Sequence, residues 1–125
     1  MTNIKLINFL YKNLSKQTYI NSIKRTKIEA ENSYKGRIHH TFIAYKNFGV
    51  VLGGLEGKTP LKDLLMFDFL EKKWSLVSDK TPKSIFGHSA NVFADEMVVF
   101  GGCDGRILLK DLRIFDFISK TLVFA

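Results

Sequence analysis

The sequence VVLGGLEGKTPLKDLLMFDF, from Val50 to Phe69, recurs almost unchanged forty-eight residues later as VVFGGCDGRILLKDLRIFDF, from Val98 to Phe117. The match extends in both directions without a gap. Identical pairs in this register include His40/His88, Val50/Val98, Val51/Val99, Gly53/Gly101, Gly54/Gly102, Gly57/Gly105, Lys62/Lys110, Asp63/Asp111, Leu64/Leu112, Phe67/Phe115, Asp68/Asp116, Phe69/Phe117 and Lys72/Lys120. Internal repetition at a fixed period is typical of repeat architectures, so the chain is predicted to contain two copies of one structural unit.

Each copy has the pattern of four short antiparallel strands. In the first copy, TFIAY (41–45) and FGVVL (48–52) flank the turn residues Lys-Asn, which predicts a β-hairpin. The segments LLMFDF (64–69) and WSLV (74–77) supply a third and a fourth strand, and the second copy repeats the order. We therefore expect two equivalent sheets, in which Phe67 and Phe115 are both buried.

A glycine pair ends the second strand of each copy. Gly53-Gly54 and its repeat Gly101-Gly102 permit positive φ and close approach of neighbouring backbone. We expect Gly54 to lie against the following unit, so that a β-branched residue at this position would be strongly destabilising.

Four strands in about 50 residues, with a glycine pair after the second, is the layout of a propeller blade. The opening RIHH (37–40), the D-L-x-x-F-D segment that begins at Asp63, and Trp74 add further motif residues. With these features the chain resembles the kelch-repeat family over residues 37–125. Where the family usually has Trp, the second copy has Leu122.

The resemblance implies an all-β fold, a partial and open kelch-type β-propeller. Two four-stranded antiparallel blades are expected at residues 37–84 and 85–125, superposable and packed face to face. Val50 and Val98 should then lie in the same environment.

The net positive charge belongs mainly to residues 1–36, which contain seven Lys or Arg against two Glu. Carrying the repeat backward makes residues 17–36 a candidate for a degenerate half-blade of a preceding unit. Within 1–16, apolar residues are instead spaced as on one face of a helix. This basic segment could bind nucleic acid or an acidic membrane surface, although it contains no nucleic-acid motif and nucleic acid is the less favoured partner.

The cysteine content and the distribution of apolar residues indicate where the protein is located in the cell. Cys103 is the one cysteine, so the chain forms no internal disulfide and suits a reducing environment. No apolar run approaches the roughly 20 residues that a membrane helix needs, and no signal-peptide pattern is present. We expect a cytoplasmic protein without a membrane span.

The sequence offers little for catalysis or metal binding. His40 and His88 repeat because the unit repeats, and no carboxylate or cysteine cluster accompanies them at ligand spacing. The glycine-rich segment from Gly53 lacks the spacing of a phosphate loop. Some kelch-like copper oxidases use a cross-linked cysteine, but Cys103 has no convincing ligand set around it. We therefore expect no catalytic residue, no metal and no cofactor.

The resemblance to kelch repeats implies a protein–protein interaction module. Arg37, which opens the first unit, is a candidate for gripping an acidic peptide at the mouth of the propeller channel, because guanidinium binds carboxylate with two parallel hydrogen bonds. Lys58 and Arg106 are the other candidate partner-binding residues. Alternatively, Arg37 bonds the loops of its own blade. The second unit has Ile85 at the position equivalent to Arg37, so it lacks this cation.

Two further possibilities concern the function and the assembly of the chain. Some kelch-like propellers are sugar-active enzymes, and this chain could be part of one. Two blades also leave sheet faces uncovered. We therefore expect the chain to be a fragment of a larger propeller, or to self-associate or pair with blades of another kelch chain.

Overall fold

The computed structural model describes residues 27–32, 34–78, 81 and 83–124. Those residues form no helix, and their strands, in chain order, are β1 (Thr41–Tyr45), β2 (Phe48–Leu52), β3 (Leu55–Glu56), β4 (Thr59–Pro60), β5 (Leu64–Asp68), β6 (Lys73–Ser78), β7 (Ser89–Phe93), β8 (Glu96–Phe100), β9 (Leu112–Asp116) and β10 (Thr121–Phe124). None of these residues forms a helix with the length and hydropathy needed to cross a bilayer.

The strands form two open four-stranded sheets and one small ribbon. The first sheet has the order β1-β2-β5-β6, the second has the order β10-β9-β8-β7, and β3 pairs only with β4. Every neighbouring pair in these sheets is antiparallel. The all-β, partial propeller expected from the sequence is confirmed; below, unit 1 denotes residues 37–84 and unit 2 residues 85–125.

Aspartates fix the outer turns of both sheets. Asp68 Oδ1 accepts hydrogen bonds from the backbone N–H groups of Leu70 and Glu71 at 2.8 and 3.0 Å. Asp116 does the same in the equivalent turn of unit 2. These amide donors favour the ionised carboxylate, so they lower the pKa of both aspartates. The repeat is therefore kept in the turns as well as in the strands.

The two units pack through non-equivalent faces. We call the side of a unit that carries Val50 or Val98 its front, and the opposite side its back. The front of unit 1 contributes Tyr45, Val50, Leu52 and Leu64 to the core, whereas the back of unit 2 contributes Met97, Val99 and Phe115, with Ile85 beside them.

This front-to-back packing corrects one expectation. Val50 is 0 % exposed beneath unit 2, but Val98 is only half-buried, because no described residue of a further unit covers the front of unit 2. The prediction that the two valines share an environment is therefore wrong. Phe67 and Phe115, which lie on the backs of their units, are both buried as expected.

Tyr45 provides the main aromatic contact between the units. Its ring stacks on Phe117 with centroids 3.9 Å apart and planes 10° from parallel. Its hydroxyl donates a hydrogen bond of 2.6 Å to Asp95 in the β7–β8 turn. Stacked aromatic pairs stabilise an interface beyond the area they bury, so this contact fixes how unit 2 sits on unit 1.

The two glycines of the first pair approach different units. Gly53 has a φ of 58°, and a Cβ there would overlap the carbonyl oxygen of Ile85 and lie 2.9 Å from its Cγ2. A Cβ on Gly54 would instead lie 2.8 Å from the carbonyl oxygen of Ile38 and 3.0 Å from Cβ of His40, both in its own unit. The expectation that substitution at Gly54 crowds the following unit is therefore wrong; Gly53 makes that close approach.

Part of the basic N-terminal segment lies beside β6. Glu31 pairs with Lys73 in a parallel bridge, and its carbonyl accepts a hydrogen bond of 3.1 Å from the Trp74 N–H. The Tyr34 ring meets the Trp74 ring edge-on, with centroids 6.1 Å apart. The helical spacing of 1–16, and the half-blade interpretation before residue 27, lie outside the described residues.

Candidate partner-binding site

Arg37 is engaged within its own unit. Its two terminal nitrogens form a bidentate ion pair with the carboxylate of Asp63, and Nη2 lies 3.0 Å from Oδ2. Nη1 also donates to the Gly53 carbonyl at 3.1 Å. The side chain is 9 % exposed. This geometry matches the alternative in which Arg37 bonds the loops of its own blade, while direct contact with a partner stays a prediction.

At two positions the units differ in opposite ways. Unit 2 has an aliphatic residue where unit 1 has an arginine, and an arginine where unit 1 has an aliphatic residue. Ile85, in the place of Arg37, is fully buried. Arg113, in the place of Leu65, is buried with Nη2 3.8 Å from Asp111 Oδ2. Asp111 therefore has a neighbouring arginine, as Asp63 has, although the arginine comes from a different strand position.

Lys58 and Arg106 occupy equivalent positions on neighbouring loops. Both side chains are exposed, Lys58 in the β3–β4 turn and Arg106 in the loop after β8. The two loops adjoin, since a Cβ on Gly105 would lie 2.9 Å from the ring of Pro60. The structure thus brings these two predicted residues to one loop surface, which the sequence could not show because the adjacency depends on how the units pack.

Asp104 fixes the backbone of the Arg106 loop. Its Oδ1 accepts hydrogen bonds from the N–H groups of Ile107 at 3.0 Å and Arg106 at 2.9 Å. These donors lower the pKa of the Asp104 carboxyl. The carboxylate therefore binds backbone amides of its own turn, and these hydrogen bonds fix the backbone that carries the Arg106 side chain.

An open groove of about 690 Å³ lies beside β8 and the loop that follows it in unit 2. Its lining includes Gly87, Ser89, Phe100, Gly101, Gly102 and Leu109. No sequence motif pointed to this groove, which is open because no described residue covers the front of unit 2.

His88 is a buried histidine at the contact between the units. Its Nε2 lies 2.7 Å from Thr41 Oγ1, and its Nδ1 has no hydrogen-bond partner among the described residues. Burial, helped by the positive charges of Arg113 and His40, lowers the pKa of His88 to about 4. The described residues contain no group of three His, Cys, Asp or Glu side chains able to hold a metal ion.

Acid should destabilise the fold through His88. Between pH 6.5 and about 4 the unfolded chain binds a proton at this position and the folded chain does not. The free energy of unfolding should therefore fall as the pH is lowered through this range. Chemical unfolding at several pH values should show a smaller fall in His88→Gln than in the exposed control His39→Asn; equal pH slopes in both variants would contradict the assignment.

Comparison with known families agrees with the fold. Residues 17–123 match the model of the KLHDC2/KLHL20/DRC7 Kelch-repeats domain. The match spans most of the chain, and the chain belongs to the kelch-repeat family. No curated protein matches it. Kelch-repeat domains are generally non-catalytic modules for protein interaction.

Proposed function

We propose that this chain is a non-catalytic, cytoplasmic protein-binding module that holds an acidic segment of its partner. The observation that carries the proposal is the pair of exposed cations, Lys58 and Arg106, at equivalent positions of two adjoining loops. Loops on a rigid repeat scaffold are the usual location of binding residues.

The two cations differ in how they would hold a carboxylate. Arg106 can donate two parallel hydrogen bonds, whereas Lys58 acts as a compact charge on a flexible stem. An extended peptide with several carboxylates could contact both side chains at once.

Arg37 belongs to this proposal as a positioning residue. Its bonds to Gly53 and Asp63 connect the start of unit 1 to both ends of the segment that contains Lys58. Holding that segment in place reduces the entropy that a loop loses when it binds a partner. Direct contact between Arg37 and the partner would add to this effect.

Charge reversal of the two loops tests the proposal. A short poly-glutamate peptide with a fluorescent label serves as the probe. The double variant Lys58→Glu/Arg106→Glu should bind at least about tenfold more weakly than the unsubstituted chain. The loss should shrink as salt is added, because the attraction between exposed charges is screened.

Lys72→Glu/Lys120→Glu provides the matched control. These two exposed lysines also occupy equivalent positions, in the β5–β6 and β9–β10 turns, and their reversal changes the net charge equally. The control should bind the peptide like the unsubstituted chain. An equal loss in both double variants would mean that the peptide responds only to net charge, and the proposed site would be wrong.

A further inference from the structure

Each loop of the proposed binding surface contains an acid whose partners are groups other than the exposed cation side chain. In unit 1, Lys35 Nζ lies 2.9 Å from Glu56 Oε1. In unit 2, Asp104 Oδ1 accepts hydrogen bonds from the backbone N–H groups of Arg106 and Ile107. The two acids occupy equivalent positions, forty-eight residues apart, so the arrangement repeats with the unit.

The loop surface therefore has an excess of positive charge. Within the described part of the chain, neither Lys58 nor Arg106 forms an ion pair. Lys83, the counterpart of Lys35, is a further exposed cation that acts on Asp104 electrostatically. An uncompensated positive surface of this kind attracts the carboxylates of a partner.

The residue after the cation is polar in one loop and aliphatic in the other. Thr59 follows Lys58 in unit 1, whereas Ile107 follows Arg106 in unit 2. Ile107 is 55 % exposed. Consecutive Cα atoms are about 3.8 Å apart, so one bound peptide can contact the guanidinium and the aliphatic side chain together.

The exposure of Ile107 is a property of its position in the unit. Its counterpart Thr59 is exposed although unit 2 packs on the front of unit 1. Leu108 differs in this respect, because its counterpart Pro60 is half-buried where Gly105 of unit 2 adjoins it. Of these two aliphatic residues, Ile107 is therefore the one whose position stays accessible when a neighbouring unit packs on the front.

Hydrogen bonds hold the backbone of Ile107 at both of its polar groups. Its N–H donates to Asp104 Oδ1 at 3.0 Å, and its carbonyl accepts a hydrogen bond of 3.3 Å from the Asp104 N–H. A loop that is already ordered loses little entropy when a partner binds. Burial of an aliphatic side chain on such a loop therefore adds to the affinity, because it removes apolar surface from water.

We infer that Ile107 determines the specificity of this surface, which selects acidic protein segments that contain an aliphatic side chain. The inference rests on the proposed function, in which Lys58 and Arg106 hold carboxylates of the segment. Ile107 contacts the aliphatic side chain beside those carboxylates. Acidic segments without an aliphatic residue bind to the same surface less tightly.

Two fluorescent peptides, each with six glutamates around a central leucine or a central serine, test the inference. The unsubstituted chain should bind the leucine peptide about fivefold more tightly, because an aliphatic side chain is buried. Ile107→Thr introduces the residue type that unit 1 has at this position, and it should bind both peptides with the affinity of the serine peptide. Added salt should weaken both peptides and leave their ratio unchanged, since screening acts on charges.

Ile118→Thr is the matched control. Ile118 is 69 % exposed in the β9–β10 turn, and its N–H also donates to an aspartate, Asp116. This variant should keep the preference for the leucine peptide. Both substitutions change an exposed residue, so both variants should fold, which circular dichroism checks.

The outcomes separate this inference from the proposed function. Equal affinity of the unsubstituted chain for the two peptides, or an equal loss of preference in the two isoleucine variants, would overturn the inference. The proposed function would still be supported if Lys58→Glu/Arg106→Glu weakened binding of the serine peptide. If that charge reversal affected neither peptide, the proposed function and the inference would both be wrong.

Discussion

Replacing Gly53 by alanine should lower the free energy of unfolding by at least about 3 kcal/mol, whereas the same change at Gly101 should cost only about 1–2 kcal/mol. Both glycines have positive φ, 58° and 71°, so both variants acquire similar backbone strain. Only at Gly53 does the new Cβ overlap the Ile85 carbonyl oxygen. That carbonyl accepts the Gly54 N–H bond at the junction, so relieving the overlap disturbs the packing of unit 2 on unit 1.

Urea unfolding measures the difference between the two glycine variants. A Gly53→Ala chain that fails to fold while Gly101→Ala folds would support the same conclusion. Equal midpoints for the two variants would show that the close approach at Gly53 is relieved without cost.

The second large effect is expected at Arg37. Truncation to alanine removes a bidentate ion pair and a charge-assisted hydrogen bond, and it leaves Asp63 and the Gly53 carbonyl without that donor. The expected loss of stability is roughly 2–3 kcal/mol, the range of hydrogen bonds to charged groups. It should appear as a lower urea midpoint with an unchanged denaturant slope.

Lys35→Ala is the matched control for Arg37→Ala. Lys35 Nζ lies 2.9 Å from Glu56 Oε1, but the lysine side chain is almost entirely exposed. Exposed ion pairs contribute little to stability, so this variant should unfold like the unsubstituted chain. If Arg37→Ala were as stable as Lys35→Ala, the buried pair would not hold unit 1 together, and Arg37 would again become a candidate for direct contact with a partner.

The local structure of the chain could be predicted from the sequence. The alternation of strand-forming segments with turn residues and the repeat of forty-eight residues were sufficient to place both sheets. These features depend on contacts between segments close in sequence, where turn chemistry and strand propensity act directly.

The packing between units could not be predicted in the same way. Identical residues at Val50 and Val98 differ in burial, because the environment of each face depends on which unit covers it. For the same reason the sequence did not show that Gly53, and not Gly54, approaches Ile85, or that the loops of Lys58 and Arg106 adjoin. That Arg37 bonds the loops of its own blade was one of two alternatives, and its partner Asp63 could not be identified from the sequence.

The exchange of arginine and aliphatic residues between the units bears on the history of the chain. A duplication of one ancestral unit would have produced two identical copies, each able to occupy either place. Ile85 is now fitted to the core beneath Gly53, and Arg113 now stands beside Asp111 from a new strand position. Such changes depend on one another, since either one alone would leave Asp111 without a neighbouring arginine or add a second one. The two copies are therefore each fitted to their own place in the chain, although many of their residues are identical.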